Sequence, residues 1–211
     1  MQIHPCHADL GESQLMPPGL QLRHAQRRHI GGASLSLWIV HAVIVKTPHL
    51  LLHWPDENAT QAFAQQLAGQ ALLGNAFISL QGNLGAGKTT LVRHLLRAIG
   101  VQGRVKSPTY AVVEPYHLAG LDIWHFDFYR FSDPREWEDA GFRDIFASPG
   151  LKLAEWPDKA TGALPVPDLE ICLEVHPDQS RSAALHAQTA TGIALLQALQ
   201  GPRDGKLGER V

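Results

Sequence analysis

The run Gly82-Asn83-Leu84-Gly85-Ala86-Gly87-Lys88-Thr89, followed by Thr90, sets a glycine, four residues, a second glycine, a lysine and a hydroxyl in order. A chain uses that spacing to wrap a phosphate group. Glycines let backbone N–H groups converge on phosphate oxygens without side-chain clashes. Lys88 brings a point charge to the β- and γ-phosphates, and Thr89 offers a hydroxyl to Mg2+. Such a site also needs a carboxylate on the far side of the metal, delivered by the end of a neighbouring strand. Asp127 closes Ile123-Trp124-His125-Phe126 and Glu155 closes Leu151-Lys152-Leu153-Ala154, so both stand where a strand presents a side chain to the top of a sheet. Singly, either is also consistent with a solvated strand end. With the loop they form a pair, one carboxylate for Mg2+ and the other for the metal or the attacking water.

Ser107-Pro108-Thr109-Tyr110 falls between the loop helix and the next strand, where switch segments of nucleotide hydrolases present a threonine hydroxyl to Mg2+ and the γ-phosphate. The same four residues also read as a simple proline turn. No Asn-Lys-x-Asp or Thr-Lys-x-Asp string occurs, so the guanine-reading device of common GTPases is missing and ATP is the expected nucleotide. Three activities are compatible with these groups: an ATPase, a small-molecule kinase, which would also need an acceptor pocket, and a nonhydrolytic nucleotide-gated adaptor.

The elements that must hold these residues follow from periodicity. Leu50-Leu51-Leu52 reads as a short strand. A helix capped by Asn58 or Thr60 then places Phe63, Leu67 and Ala71 on one face. Ala76-Phe77-Ile78-Ser79-Leu80 is too short for a helix and nearly all apolar, as a central strand buried on both faces should be. It leads directly into the glycine loop. Leu91, Val92, Leu95, Leu96 and Ile99 then recur at helical spacing up to Gly100, which supplies a stop. Further strands are expected at 110–117, 121–128, 151–156, 168–175 and 182–188, with a short helix after Ser132-Asp133-Pro134 and a terminal helix near 192–200. The fold class is α/β: a P-loop NTPase-like mixed sheet with flanking helices and an antiparallel C-terminal extension.

Composition bounds the rest. With 211 residues, 45% apolar and 18% charged, the chain suits one globular domain with an appendage, and excludes a disordered or fibrous class. A net charge of −2 provides no whole-molecule basic field, so contact with nucleic acid would have to come through a local patch or a partner. Cys6 and Cys172 are too isolated for a disulfide framework or a cysteine-rich zinc site. The apolar stretch from Ala33 to His53 is broken by His41, Lys46, Pro48 and His49, and Asp9, Glu12 and Pro17-Pro18-Gly19 do not suit a secretory signal. A cytoplasmic setting is expected. Residues 1–48 read as a poorly ordered extension or an overcalled start of translation, rather than a metal-binding arm built on His4, Cys6 and His7. Residues 49–200 read as the ATPase domain, and 201–211 as a flexible tail.

The ordered set of Gly82–Thr90, Ser107-Pro108-Thr109-Tyr110, His125-Phe126-Asp127-Phe128-Tyr129-Arg130 and Glu155-Trp156-Pro157 closely resembles the bacterial TsaE (YjeE) family over about residues 49 to 200. The loop alone is generic, whereas the four blocks in this order are specific. The resemblance implies a Mg2+-dependent ATPase in the threonylcarbamoyl modification of N6 of adenosine at position thirty-seven, in tRNAs that read codons beginning with A. It implies TsaD and TsaB as partners, with tRNA met indirectly through the complex. It further implies that Lys88 and Thr89 bind phosphate and Mg2+, that Thr109 belongs to the first switch, that Asp127 is the metal-side carboxylate, and that Glu155 with Trp156 forms a second functional block.

Overall fold

The computed structural model describes residues 48–131 and 141–201. Strand β1 (His49–Trp54) alternates, with Leu50 and Leu52 packed on the core and His49, Leu51 and His53 turned outward. Helix α1 (Glu57–Ala68) is capped by Asp56, whose Oδ1 accepts the Ala59 N–H at 2.9 Å. This corrects the expected cap at Asn58 or Thr60: Asp56 places an ionised acceptor at the helix start, while Thr60 is buried inside the first turn. Gly69 ends α1, so Ala71 lies in a separate 3-10 turn, Ala71–Asn75, rather than on the helix face.

The central strand β2 (Phe77–Gln81) is buried at its first four residues. The glycine loop follows, and then α2 (Lys88–Ile99), closed by Gly100 in the left-handed region at φ 115°. Strands β3 (Val113–Leu118), β4 (Leu121–Asp127), β5 (Leu151–Glu155), β6 (Leu169–Val175) and β7 (Arg181–Ala187) come next, and α4 (Ala190–Gln200) closes the described part under a Thr189 cap. The strand expected from 110 begins only at Val113. Residues 110–112 are folded into a turn, with Val112 at φ 65° donating its N–H to Pro108 O at 2.6 Å. Helix α3 (Phe142–Ala147) is short, and the Ser132-Asp133-Pro134 start signal lies outside the described residues, as do all but residue 48 of the expected 1–48 extension and all but residue 201 of the expected 201–211 tail.

The seven strands form one sheet in the order β1-β7-β6-β2-β5-β4-β3. The inner four, β6, β2, β5 and β4, are parallel, and both margins are antiparallel: β7 and β1 on one side, β3 on the other. Antiparallel pairing is therefore not confined to the C-terminal part. Alternation divides the strands between two apolar clusters. Ile78, Leu80, Leu153 and Ile171 join α1, α2 and α4 on one face, while Phe77, Phe126 and Ala154 join Phe142 of α3 on the other. Among the described residues, no helix is long and apolar enough to cross a membrane.

Candidate functional site

Parallel pairing brings the C-terminal ends of β4, β2 and β5 to one edge of the sheet, the edge from which the glycine loop rises. The ends are tied together there: Trp156 N donates to Leu80 O at 3.2 Å and Phe128 N to Glu155 O at 3.1 Å. The loop is fixed from beneath by its first glycine. Gly82 has φ 137°, and a Cβ on it would lie 2.3 Å from the carbonyl oxygen of Leu173 in β6. Only glycine fits that contact, so the requirement at this position comes from the neighbouring strand as well as from any bound phosphate. The loop ends at Gly87, φ 105°, which opens α2 and turns the positive end of its dipole and its first N–H groups toward the loop.

Lys88, the first residue of α2, is buried. Its Nζ donates to Gly82 O at 2.6 Å and Asn83 O at 3.0 Å, and lies 3.9 Å from the centre of the Trp156 ring. Burial holds its pKa below the ordinary lysine value, and the charges of Glu155, Asp127 and Asp158 oppose that shift. Trp156 reaches the lysine because its backbone is left-handed, at φ 57°, which is uncommon for a bulky residue and turns the ring back over the loop, where Tyr129 packs against it at 5.0 Å between centroids. Thr89 faces β5, and its Oγ1 lies 2.9 Å from each carboxylate oxygen of Glu155. Thr90 follows in the first turn of α2.

Asp127 and Glu155 are register partners on β4 and β5 and are only 3% and 2% exposed. Neither is the solvated strand end that each could have been alone. Asp127 Oδ2 accepts from Thr109 Oγ1 at 2.8 Å and from Ser107 Oγ, and Oδ1 accepts from Tyr129 N at 3.0 Å. The turn at 110–112 produces this arrangement, folding the Ser107–Thr109 segment onto β4 while Asp127 N donates to Val112 O at 2.9 Å. Glu155 Oε1 is also bonded to His125 Nε2 at 2.9 Å, and His125 is fully buried. Thr89, Asp127 and Glu155 offer hard oxygen donors, the set that suits Mg2+. Among the described residues, no group of three or more His, Cys, Asp or Glu could hold a metal by itself.

Every residue singled out from the sequence, from Gly82 through Thr90 and at Thr109, Asp127, Glu155 and Trp156, thus lies at or beside one loop. The family model described as "Threonylcarbamoyl adenosine biosynthesis protein TsaE" matches residues 54–183. The chain is 43% identical over 148 residues to the tRNA threonylcarbamoyladenosine biosynthesis protein TsaE of Haemophilus influenzae, covering 68% of this chain and 93% of the relative. The chain belongs to the TsaE family. Its role is therefore in tRNA threonylcarbamoyladenosine biosynthesis. The Bacillus subtilis TsaE is 34% identical over 138 residues, covering 64% of this chain and 85% of the relative. The crystal structure of Bacillus subtilis YdiB superposes with a TM-score of 0.63 at 24% identity, over 74% of this chain and 96% of that one, a likeness of P-loop NTPase fold.

Three residues of this TsaE-family site were not chosen from the sequence as site residues. His125 and Ser107 had a usable signal. His125 precedes Asp127 by two, so strand alternation puts both on one face, and Ser107 precedes Thr109 by two in the segment that wraps Asp127. Arg181, whose Nε donates to Ala86 O at 3.3 Å, had none, being 95 positions away in sequence.

Proposed function

We propose that this TsaE-family protein is a Mg2+-dependent ATPase whose hydrolysis drives the threonylcarbamoyl modification of N6 of adenosine at position thirty-seven, in tRNAs that read codons beginning with A. In this reading it works with TsaD and TsaB, which hold the tRNA. The observation that carries the reading is the Thr89 hydroxyl 2.9 Å from both oxygens of the buried Glu155, directly beside Asp127 and above the phosphate loop.

Phosphoryl transfer asks a protein mainly for positioning and charge, and the side chains divide that work. Loop N–H groups and the α2 N-terminus receive the phosphates. Lys88, held on Gly82 O and Asn83 O, is placed to exchange those carbonyls for β- and γ-phosphate oxygens. Thr89, Asp127 and Glu155 would hold Mg2+, which would supply positive charge against the negative charge that develops on the phosphates. His125 fixes the orientation of Glu155, as Ser107 and Thr109 fix that of Asp127, so that whichever carboxylate faces the attacking water does so without reorganising. Trp156 rests on Lys88, so a movement of the lysine toward phosphate alters the surface at the mouth of the site. Leu84 and Tyr110, 78% and 82% exposed, offer apolar area on the loop and on the switch segment for a partner to cover.

The test is phosphate release from Mg-ATP by the protein alone, with TsaD and TsaB, and with tRNA added. Release that rises with the partners and tracks the appearance of modified adenosine supports the reading. ADP formation without free phosphate, with the γ-phosphoryl group recovered on an added small-molecule acceptor, makes the protein a kinase, and binding without turnover makes it an adaptor.

A further inference from the structure

The phosphate loop has two flanks, because β2 lies between β5 and β6. The β5 flank carries Glu155 and Trp156. On the other flank, β1 ends at Trp54, β6 ends at Val175 and β7 begins at Arg181, all at the same end of the sheet as the loop. Arg181 is half-buried there. Its Nε donates to Ala86 O at 3.3 Å and its Nη1 to Gln179 O at 3.0 Å. Gly87 makes room for it, since a Cβ on Gly87 would lie 3.1 Å from Nε and 3.5 Å from Cδ.

Two features of this arrangement point to a ligand. Arg181 is permanently charged, yet both acceptors are neutral carbonyls and no carboxylate among the described residues pairs with it. Its two bonds lie in the guanidinium plane and use Nε and Nη1, which leaves Nη2 and the flat faces of the group for a third party. The position also says which part of a nucleotide that is. Arg181 reaches the loop from the β6–β7 side, with β2 between it and Glu155, and meets it at Ala86 O near the start of α2. With the terminal phosphate committed to Lys88 and the β5 flank, the remainder of the nucleotide leads away from Glu155, toward the side on which Arg181 is held.

We propose that Arg181 clamps the nucleoside end of the bound nucleotide, its guanidinium packing on the purine and ribose while its Nε and Nη1 bonds tie the β6–β7 hairpin to the phosphate loop. This rests on the nucleotide-binding reading given above. A planar cation over an aromatic base adds affinity and favours a nucleotide over bare triphosphate.

The experiment measures the affinity of the full chain for Mg-ATP and for Mg-tripolyphosphate, which has the phosphates but no nucleoside, by titration calorimetry. Arg181→Ala should weaken Mg-ATP by about tenfold and leave Mg-tripolyphosphate within about twofold. Arg181→Lys, which keeps the charge and loses the plane, should resemble the alanine variant. If Arg181→Ala does not stay folded at the assay temperature, Arg181→Gln, which keeps a hydrogen-bonding side chain over Gly87, takes its place with the same expectation. Unchanged Mg-ATP affinity, or an equal loss for both ligands, overturns the proposal. The underlying reading fails separately: in that case the unaltered protein binds neither ligand, or Lys88→Ala binds both as well as the unaltered protein does.

Discussion

Replacing Glu155 by Gln and by Ala separates its structural part from its chemical part. The carboxylate accepts from Thr89 Oγ1 and from His125 Nε2 in a place almost closed to water. Glutamine keeps the shape and one acceptor, and the Thr89 hydroxyl can rotate to accept from the new amide. One charge-assisted bond becomes neutral, a loss of about 1 kcal/mol that relief from burying a charge partly offsets. Alanine removes every acceptor. It leaves His125 Nε2 buried without a partner at a cost of about 1–3 kcal/mol, and a cavity adds to it, for about 3–5 kcal/mol in all. At about 2–4 °C per kcal/mol for a chain of this size, Glu155→Gln should melt within about 4 °C of the unaltered protein, and Glu155→Ala at least about 6 °C lower. Turnover should follow a different pattern. Both variants lose the carboxylate charge at the metal and the attacking water, so both should fall by about 10²–10³ in Mg-ATP hydrolysis while binding ATP far less altered. Melting curves without nucleotide and single-turnover phosphate release measure the two effects. A glutamine variant that hydrolyses within about threefold of the unaltered rate would refute the chemical assignment, and equal melting of the two variants would refute the hydrogen-bond argument.

Two further outcomes follow from the loop. Gly82→Ala sets a Cβ 2.3 Å from the Leu173 carbonyl oxygen at a φ that L side chains rarely adopt, so the loop must move; melting temperature and Mg-ATP affinity should both fall, the former by an amount equivalent to about 1–3 kcal/mol, measured by thermal melts and calorimetry. Lys88, with its folded-state pKa below the ordinary lysine value, binds a proton less readily in the folded than in the unfolded chain. Raising the pH toward the unfolded value therefore relieves a cost, and the nucleotide-free protein should gain stability relative to Lys88→Met over that alkaline window. A stability difference flat with pH, measured by urea unfolding of the two proteins side by side, would show that burial does not perturb the lysine.

What the sequence determined by itself is what depends on neighbours in the chain. A buried run, a glycine loop and an amphipathic helix are contiguous, so β2, the loop and α2 were legible with boundaries within a residue or so, and with them Lys88 and Thr89. Asp127 and Glu155 were legible as strand ends, and the blocks around them carried the family. Tertiary structure decided how these pieces meet. Parallel pairing of β4 with β5 set Asp127 beside Glu155, and only then did His125, Thr89, Ser107 and Thr109 become their partners. It turned residues 110–112 out of the expected strand, because the chain must fold back to bring Ser107 and Thr109 onto Asp127. It joined β1 to β7 at the far end of the chain and brought Arg181 against Ala86. Strand order and register are chosen by which apolar faces can be buried together and which backbone groups can be paired across the whole sheet, a condition on residues far apart in sequence that no local pattern encodes.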